Sequence, residues 1–217
     1  MKHIYAISGL GADERVFNAL KKRLRANWTY IPWLEPKPDE PIEQYAFRMS
    51  RQIDQPKPIL LGLSFGGIMA VEISHHVSAE RLVLISTIKN RLEMPFWLKI
   101  VSLTRVHKII PLQSISLTAP LQNYMLGVTN QSELNLAIHY RKNIDSNYLK
   151  WAVDRVVNWK PEPWHTPFLH VHGTCDHIFP IKYLKQIESI EGGGHLMIMN
   201  KAAEISQRIN QWLNQPD

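Results

Sequence analysis

Apolar positions along the chain change their period several times, and those changes lay out the elements. His3–Ile7 is a short apolar run stopped by Ser8-Gly9-Leu10-Gly11, which predicts a first strand ending in a tight loop. Val16, Phe17, Leu20 and Leu24 then recur at spacings of three and four, the period of a helix. A second short strand is expected around residues 28–31. A proline-rich stretch over 32–41 leads to another helix, over about 41–54. Pro58 precedes Ile59-Leu60-Leu61-Gly62-Leu63, a continuous apolar run suited to a strand buried on both faces. The pattern turns helical from 66 to 76, and Leu82-Val83-Leu84-Ile85 reads as the next buried strand. Strands alternating with helices in this way predict a parallel, doubly wound sheet.

The pattern then loses its short alternation. Residues 94–112 place Phe96, Ile100, Leu103, Val106 and Ile110 on one helical stripe, with Pro95 suited to a first turn. Ser146 is placed to cap a helix carrying Leu149, Ala152, Val153, Val156 and Val157. Residues 88–160 are therefore read as a helical insertion, a cap laid over the sheet. Alternation resumes after Pro161, Pro163 and Pro167. Residues 168–172 form a strand, 181–187 a helix, and Glu188–Ile190 a short strand that runs into Gly192-Gly193-Gly194-His195. Ile198, Ala202, Ile205, Ile209 and Trp212 mark a last helix. No repeat, low-complexity tract or linker interrupts the chain, so residues 1–217 are expected to form a single domain with its insertion at about 88–160.

Composition narrows the class. A chain of 217 residues with 45% hydrophobic and 20% charged residues is a globular protein, not a disordered one. Cys175 is the single cysteine, so no internal disulfide forms. The N-terminal apolar run is too brief for a secretory signal, and no stretch approaches the roughly 18–20 apolar residues of a membrane span. A cytoplasmic location is the resulting expectation. The formal charge of +6 lies entirely in residues 88–160, which carry ten Lys/Arg and four Asp/Glu; the remainder is balanced. These charges are scattered among Trp, Leu and Val without a dense basic run, which argues against nucleic acid. Three readings stay open for them, in this order: ordinary solvated helix faces, attraction of an anionic substrate or acidic partner, and last a nucleic-acid or membrane surface.

Candidate chemistry concentrates at Gly62-Leu63-Ser64-Phe65-Gly66, a G-x-S-x-G segment entered by a buried strand and left by a helix. A strand-to-helix turn this tight strains the serine backbone, and the crowded flanks call for glycine. The helix N-terminus brings backbone N–H groups and positive potential to the Ser64 hydroxyl. With this segment the chain resembles the α/β-hydrolase superfamily. Two further segments match in the family's order: His172-Gly173-Thr174-Cys175-Asp176 through Pro180 resembles H-G-x-x-D-x-x-x-P, and Gly193-Gly194-His195 resembles its G-G-H loop. The likeness runs from His3 to about Leu213.

That resemblance implies an α/β fold with Ser64 as nucleophile, His195 as base and Asp176 orienting the base. Backbone N–H groups of Leu10 and Phe65 would hold the oxyanion. Ser8 stands where the family usually has histidine, and is expected to brace that loop. The family's two leading strands have no room before His3, so six strands remain, in expected order 2-1-3-4-5-6. That order reverses between strands 1 and 3, where open sheets bind ligands. Phe96, Trp97 and Leu98 of the cap are expected to touch substrate, although the cap's aromatics and Met94 can also be read as core. No cofactor or metal is implied. Serine at the elbow argues against relatives with aspartate there, such as haloalkane dehalogenases and epoxide hydrolases.

The leading expectation is hydrolysis of a small carboxylic ester or thioester through an acyl-enzyme, with an anionic substrate as a sharper version. Alternatives are another reaction on the same triad (C–C hydrolase, lyase or cofactor-free peroxidase) or a non-catalytic ligand-binding relative. His165, His170, His172 and His177 fit no common zinc spacing. His170 and His172 share one strand face, as structural groups or as support for Asp176. Asp13-Glu14-Arg15 either begin the first helix or edge the site mouth.

Overall fold

Alternate residues of each central strand are buried on opposite faces, which is why the sequence shows unbroken apolar runs there. The computed structural model describes residues 2–108 and 118–215. Strands β1 (His3–Ile7), β2 (Asn27–Tyr30), β3 (Ile59–Leu63), β4 (Arg81–Ile85), β5 (Phe168–Gly173) and β6 (Glu188–Ile190) form a parallel sheet in the order 2-1-3-4-5-6, as expected. Tyr5, Ile7, Leu60, Leu82 and Leu84 pack against α2 (Ile42–Ser50) and α3 (Phe65–Ser74) through Tyr45, Met49, Ile68 and Met69. Ile4, Ala6, Leu61, Leu63, Val83 and Ile85 face the other way. They meet Phe17, Leu20 of α1 (Asn18–Lys21), Ile198 of α8 (Met197–Asn200), and Ile205 and Ile209 of α9 (Ala202–Leu213).

Between β4 and β5 lie α4 (Phe96–Thr104), α5 (Ala119–Leu126), α6 (Gln131–Asn143) and α7 (Ser146–Asn158). An aromatic cluster ties α7 to the sheet layer: Trp151 lies 4.3 Å from Tyr45 between ring centres, and its indole N–H donates to Glu40 O at 2.8 Å.

Several expected elements differ. The long helix over 94–112 ends at Thr104, because Arg105 turns left-handed at φ +54°. Leu98 is the buried residue of α4, while Phe96, Ile100 and Leu103 are exposed; Ile110 lies outside the described residues. The cap of α7 is Asp145, not Ser146: its Oδ1 accepts from Asn147 N and Tyr148 N. Residues 181–187 hold only a 3₁₀ turn, Ile181–Tyr183, since Leu184 is extended and Gln186 adopts φ +49°. The first helix is split into a 3₁₀ turn (Glu14–Phe17) and α1, and the last into α8 and α9. Sequence periodicity finds the buried face of the first and last helices, misses it on α4, and overlooks local breaks in the backbone.

Candidate active site

Registry places Ser64. β1 and β3 pair from Ile4 with Ile59 to Ile7 with Gly62, so the chain leaves both strands at the same sheet edge, beside the reversal in strand order. Ser64 follows β3 at once with φ +54° and ψ −119°, a backbone that costs a non-glycine residue about 1–3 kcal/mol. Neighbours hold it there. Ser64 N donates to Ile85 O at 2.9 Å, and Thr87 Oγ1 donates to Ser64 O at 2.7 Å. Gly66 is required by crowding, because a Cβ there would sit 2.2 Å from Ile7 O. Phe65 stacks on Trp33 at 5.1 Å, fixing the start of α3.

The three expected polar side chains meet. His195 Nε2 lies 2.9 Å from Ser64 Oγ, and His195 Nδ1 lies 2.8 Å from Asp176 Oδ2. Asp176 sits just past β5, and its other oxygen accepts from Ile178 N at 2.8 Å and Phe179 N at 2.9 Å. Burial alone would raise its pKa. The charge of His195 and hydrogen bonds from His172 and His195 outweigh that and hold the carboxyl well below the usual carboxylate range. His172 Nε2 approaches Asp176 Oδ2 at 3.2 Å and Phe179 O at 2.8 Å. Both are acceptors, so this nitrogen carries the proton, and His172 supports Asp176 from beneath. His170 points to Thr87 O instead, and burial keeps its pKa far below the ordinary value.

Leu10 and Phe65 both line the cavity with Ser64, and neither backbone N–H has a protein acceptor among the described residues. Gly9 packs close to Ser64: a Cβ on it would lie 3.5 Å from Ser64 Cβ. Ser8 braces this loop as its position suggested. Its hydroxyl donates to Ala12 O at 2.6 Å, accepts from Trp33 Nε1 at 3.0 Å and meets Tyr30 Oη at 3.0 Å.

Above Ser64 lies a cavity of about 390 Å³, within the size range of small-molecule sites. The inserted helices supply much of its wall, including Trp97, Leu98, Leu126, Tyr140, Arg141, Ile144 and Val156. Phe96 does not take part. It precedes Leu98 by two residues, about 200° around a helix, and is 66% exposed. Asp13 takes the first of its two expected places, at the start of the first helix, and does not line the cavity. It caps the 3₁₀ turn through Arg15 N and accepts from Tyr140 Oη at 3.0 Å, tying α6 to the loop after β1.

α5 reaches the other side of the site. Leu196 N donates to Leu126 O at 3.0 Å, and Tyr124 stacks on His177 at 4.3 Å. Gly127 ends α5 at φ +66°, where a Cβ would lie 2.9 Å from Gly194 Cα. Sequence periodicity missed both α5 and α6, and with them Tyr140 and Arg141. Their signals were at the ends: Pro120 in a first turn, Gly127 past a last one, and Asn130 three residues before Glu133.

No family model matches the chain, and no curated protein matches it. Solved structures do. A thermophilic esterase from Thermogutta terrifontis aligns over 98% of this chain and 89% of its own, at 17% identity and a TM-score of 0.73. An alpha/beta hydrolase fold protein from Burkholderia ambifaria aligns over 97% and 90%, at 12% identity and a TM-score of 0.71. An epoxide hydrolase from Bacillus megaterium aligns over 99% and 94%, at 10% identity and a TM-score of 0.70. The chain has the α/β-hydrolase fold. These neighbours carry different reactions on that fold, so the reaction must be argued from the site.

Proposed function

We propose that this protein is a serine hydrolase that cleaves a small carboxylic ester or thioester through an acyl-enzyme on Ser64. The observation that carries the reading is the unbroken chain of contacts from Ser64 Oγ through His195 to Asp176, at 2.9 and 2.8 Å, opening on an apolar cavity. A serine hydroxyl is a weak nucleophile until a base takes its proton during attack. His195 Nε2 is that base. Asp176 accepts from Nδ1, holds the ring in the tautomer that leaves Nε2 free, and stabilises the imidazolium. Attack at the acyl carbon puts negative charge on its oxygen, where the N–H groups of Leu10 and Phe65 would donate. Collapse expels the alcohol or thiol with the proton from His195. Water, activated by the same histidine, then releases the acid and restores Ser64.

A fluorophosphonate should label Ser64, and a panel of esters should be turned over. Ser64→Ala should lose labelling and about 10⁶-fold of kcat. Labelling without turnover of any ester or thioester would shift the reading to another reaction on the same residues, such as C–C hydrolysis. Undiminished turnover in Ser64→Ala would end it.

A further inference from the structure

Ten basic residues lie between 88 and 160, and only Arg141 lines the cavity above Ser64. Several of the others are engaged elsewhere: Lys89 with Glu93, Lys108 and Arg155 with Asp154, and Arg91 with the Val157 carbonyl. Arg141 pairs with no carboxylate among the described residues. Its hydrogen bond, Nη1 to Asn123 Oδ1 at 2.7 Å, fixes one arm of the guanidinium and leaves most of its five donors without a protein acceptor. The wall around it is formed largely by Leu126, Ala137, Ile144, Leu149 and Val156. Burial lowers its pKa, but a guanidinium starts so high that it stays charged at neutral pH. Arg141 is partly exposed, so solvent meets these donors in the open cavity; a ligand that fills the cavity strips that water and must supply the opposite charge in its place.

We infer that the substrate carries a carboxylate which Arg141 receives. This rests on the proposed hydrolase reading and narrows it: the substrate is a half-ester or half-thioester, with the reacting carbonyl at Ser64, an apolar middle and a carboxylate at the far end. Arg141 presents the planar fork that matches a carboxylate in two parallel hydrogen bonds. A single guanidinium balances one negative charge, and among the described residues no second Lys or Arg lines the cavity to balance a phosphate dianion. The charge of the inserted helices thus matters at one residue, while the rest faces solvent or internal partners.

The test separates this inference from the hydrolase reading by measuring binding apart from turnover. Hexanedioic acid monomethyl ester and its dimethyl ester are titrated calorimetrically into Ser64→Ala, where neither can be cleaved. The monoester should bind at least about tenfold more tightly, the scale of a charge-assisted hydrogen bond, with the advantage shrinking as salt rises. In Ser64→Ala/Arg141→Met that advantage should vanish, and in Ser64→Ala/Arg141→Lys, which keeps the charge but not the fork, part of it should remain. Equal binding of the two esters to Ser64→Ala, no binding of either, or a preference that survives Arg141→Met overturns the inference. Wild-type turnover of the same esters reports on the hydrolase reading alone. Absence of cleavage with Arg141-dependent binding intact would retire the acyl-enzyme and keep the carboxylate site.

Discussion

Strands β3 and β4 are buried at every position, whereas α4 buries one residue and α5 none. Both regions border the same cavity, but they hold it by different means. The sheet fixes Ser64 through backbone geometry: strand registry, a left-handed φ and close approach of Gly66 to Ile7. The inserted helices are held by separate anchors, among them Tyr140 to Asp13, Leu126 to Leu196, and Trp151 to Glu40. Reaction geometry tolerates little displacement, so it belongs where the core is close-packed on both sides. A wall built on a few anchors can change its lining residues without disturbing that geometry. The two regions should therefore respond differently to substitution, the sheet edge through kcat and the helices through KM.

Asp176→Asn is the harshest test on the sheet side. An amide at this position can present its NH₂ to His195 Nδ1, which favours the tautomer with the proton on Nε2, the wrong one for accepting from Ser64. The expected loss is about 10³–10⁴-fold in kcat, with KM moving far less. Ester kinetics with both constants resolved decide it. A loss under about tenfold would show that the sheet edge does not hold the base as argued.

Trp97→Ala probes the helix side. Trp97 lines the cavity and is 42% exposed, so its removal trims the wall without opening the core. Loss of about 1–2 kcal/mol of apolar contact should raise KM for a medium-chain ester roughly five- to thirtyfold. An acetate ester, too short to reach that wall, should be nearly indifferent. Equal losses for long and short esters would mean that the insertion shapes the reactive centre itself, and the division would fail.

The same contrast decides what could be read from the sequence. Strands buried on both faces write themselves as apolar runs, so β3, β4 and their order in the sheet were legible, and the glycines and serine at the elbow marked the turn. The set Ser64, Asp176 and His195 could be gathered because each follows a strand at a short, recognisable loop. Half-buried helices leave a weaker trace. On α4 the conspicuous stripe Phe96, Ile100, Leu103 is exposed, and Leu98, outside that stripe, is the buried residue. α5 and α6 have almost no apolar periodicity because several neighbours surround each only in part. Arg141 gave no signal in one dimension, since a lysine or arginine on a polar helix looks the same whether it faces solvent or a cavity. Its role depends on which side of α6 meets the loop after β1, and that is set by Tyr140 and Ile144 packing there.

Where the two regions join, the smallest effect should appear. Trp159, just past α7, donates its indole N–H to Glu72 of α3 at 2.6 Å, and both are buried. Burial raises the Glu72 pKa above the ordinary carboxylate value, and the hydrogen bond from Trp159 only partly opposes it. Between the ordinary and the raised pKa, the native protein holds a proton that the unfolded chain has released. Stability therefore falls as pH rises through that window, by about 1.4 kcal/mol for each unit by which the pKa is raised. Glu72→Gln keeps an oxygen to accept from Trp159 and removes the titration. It should match the wild type below the ordinary carboxylate range and become the more stable of the two toward neutral pH. Urea unfolding at pH 4, 5, 6 and 7 measures the difference. Parallel pH profiles for the two proteins would show that Glu72 ionises freely at the junction, and that α3 and the inserted helices are joined there by a solvated contact, not a dry one.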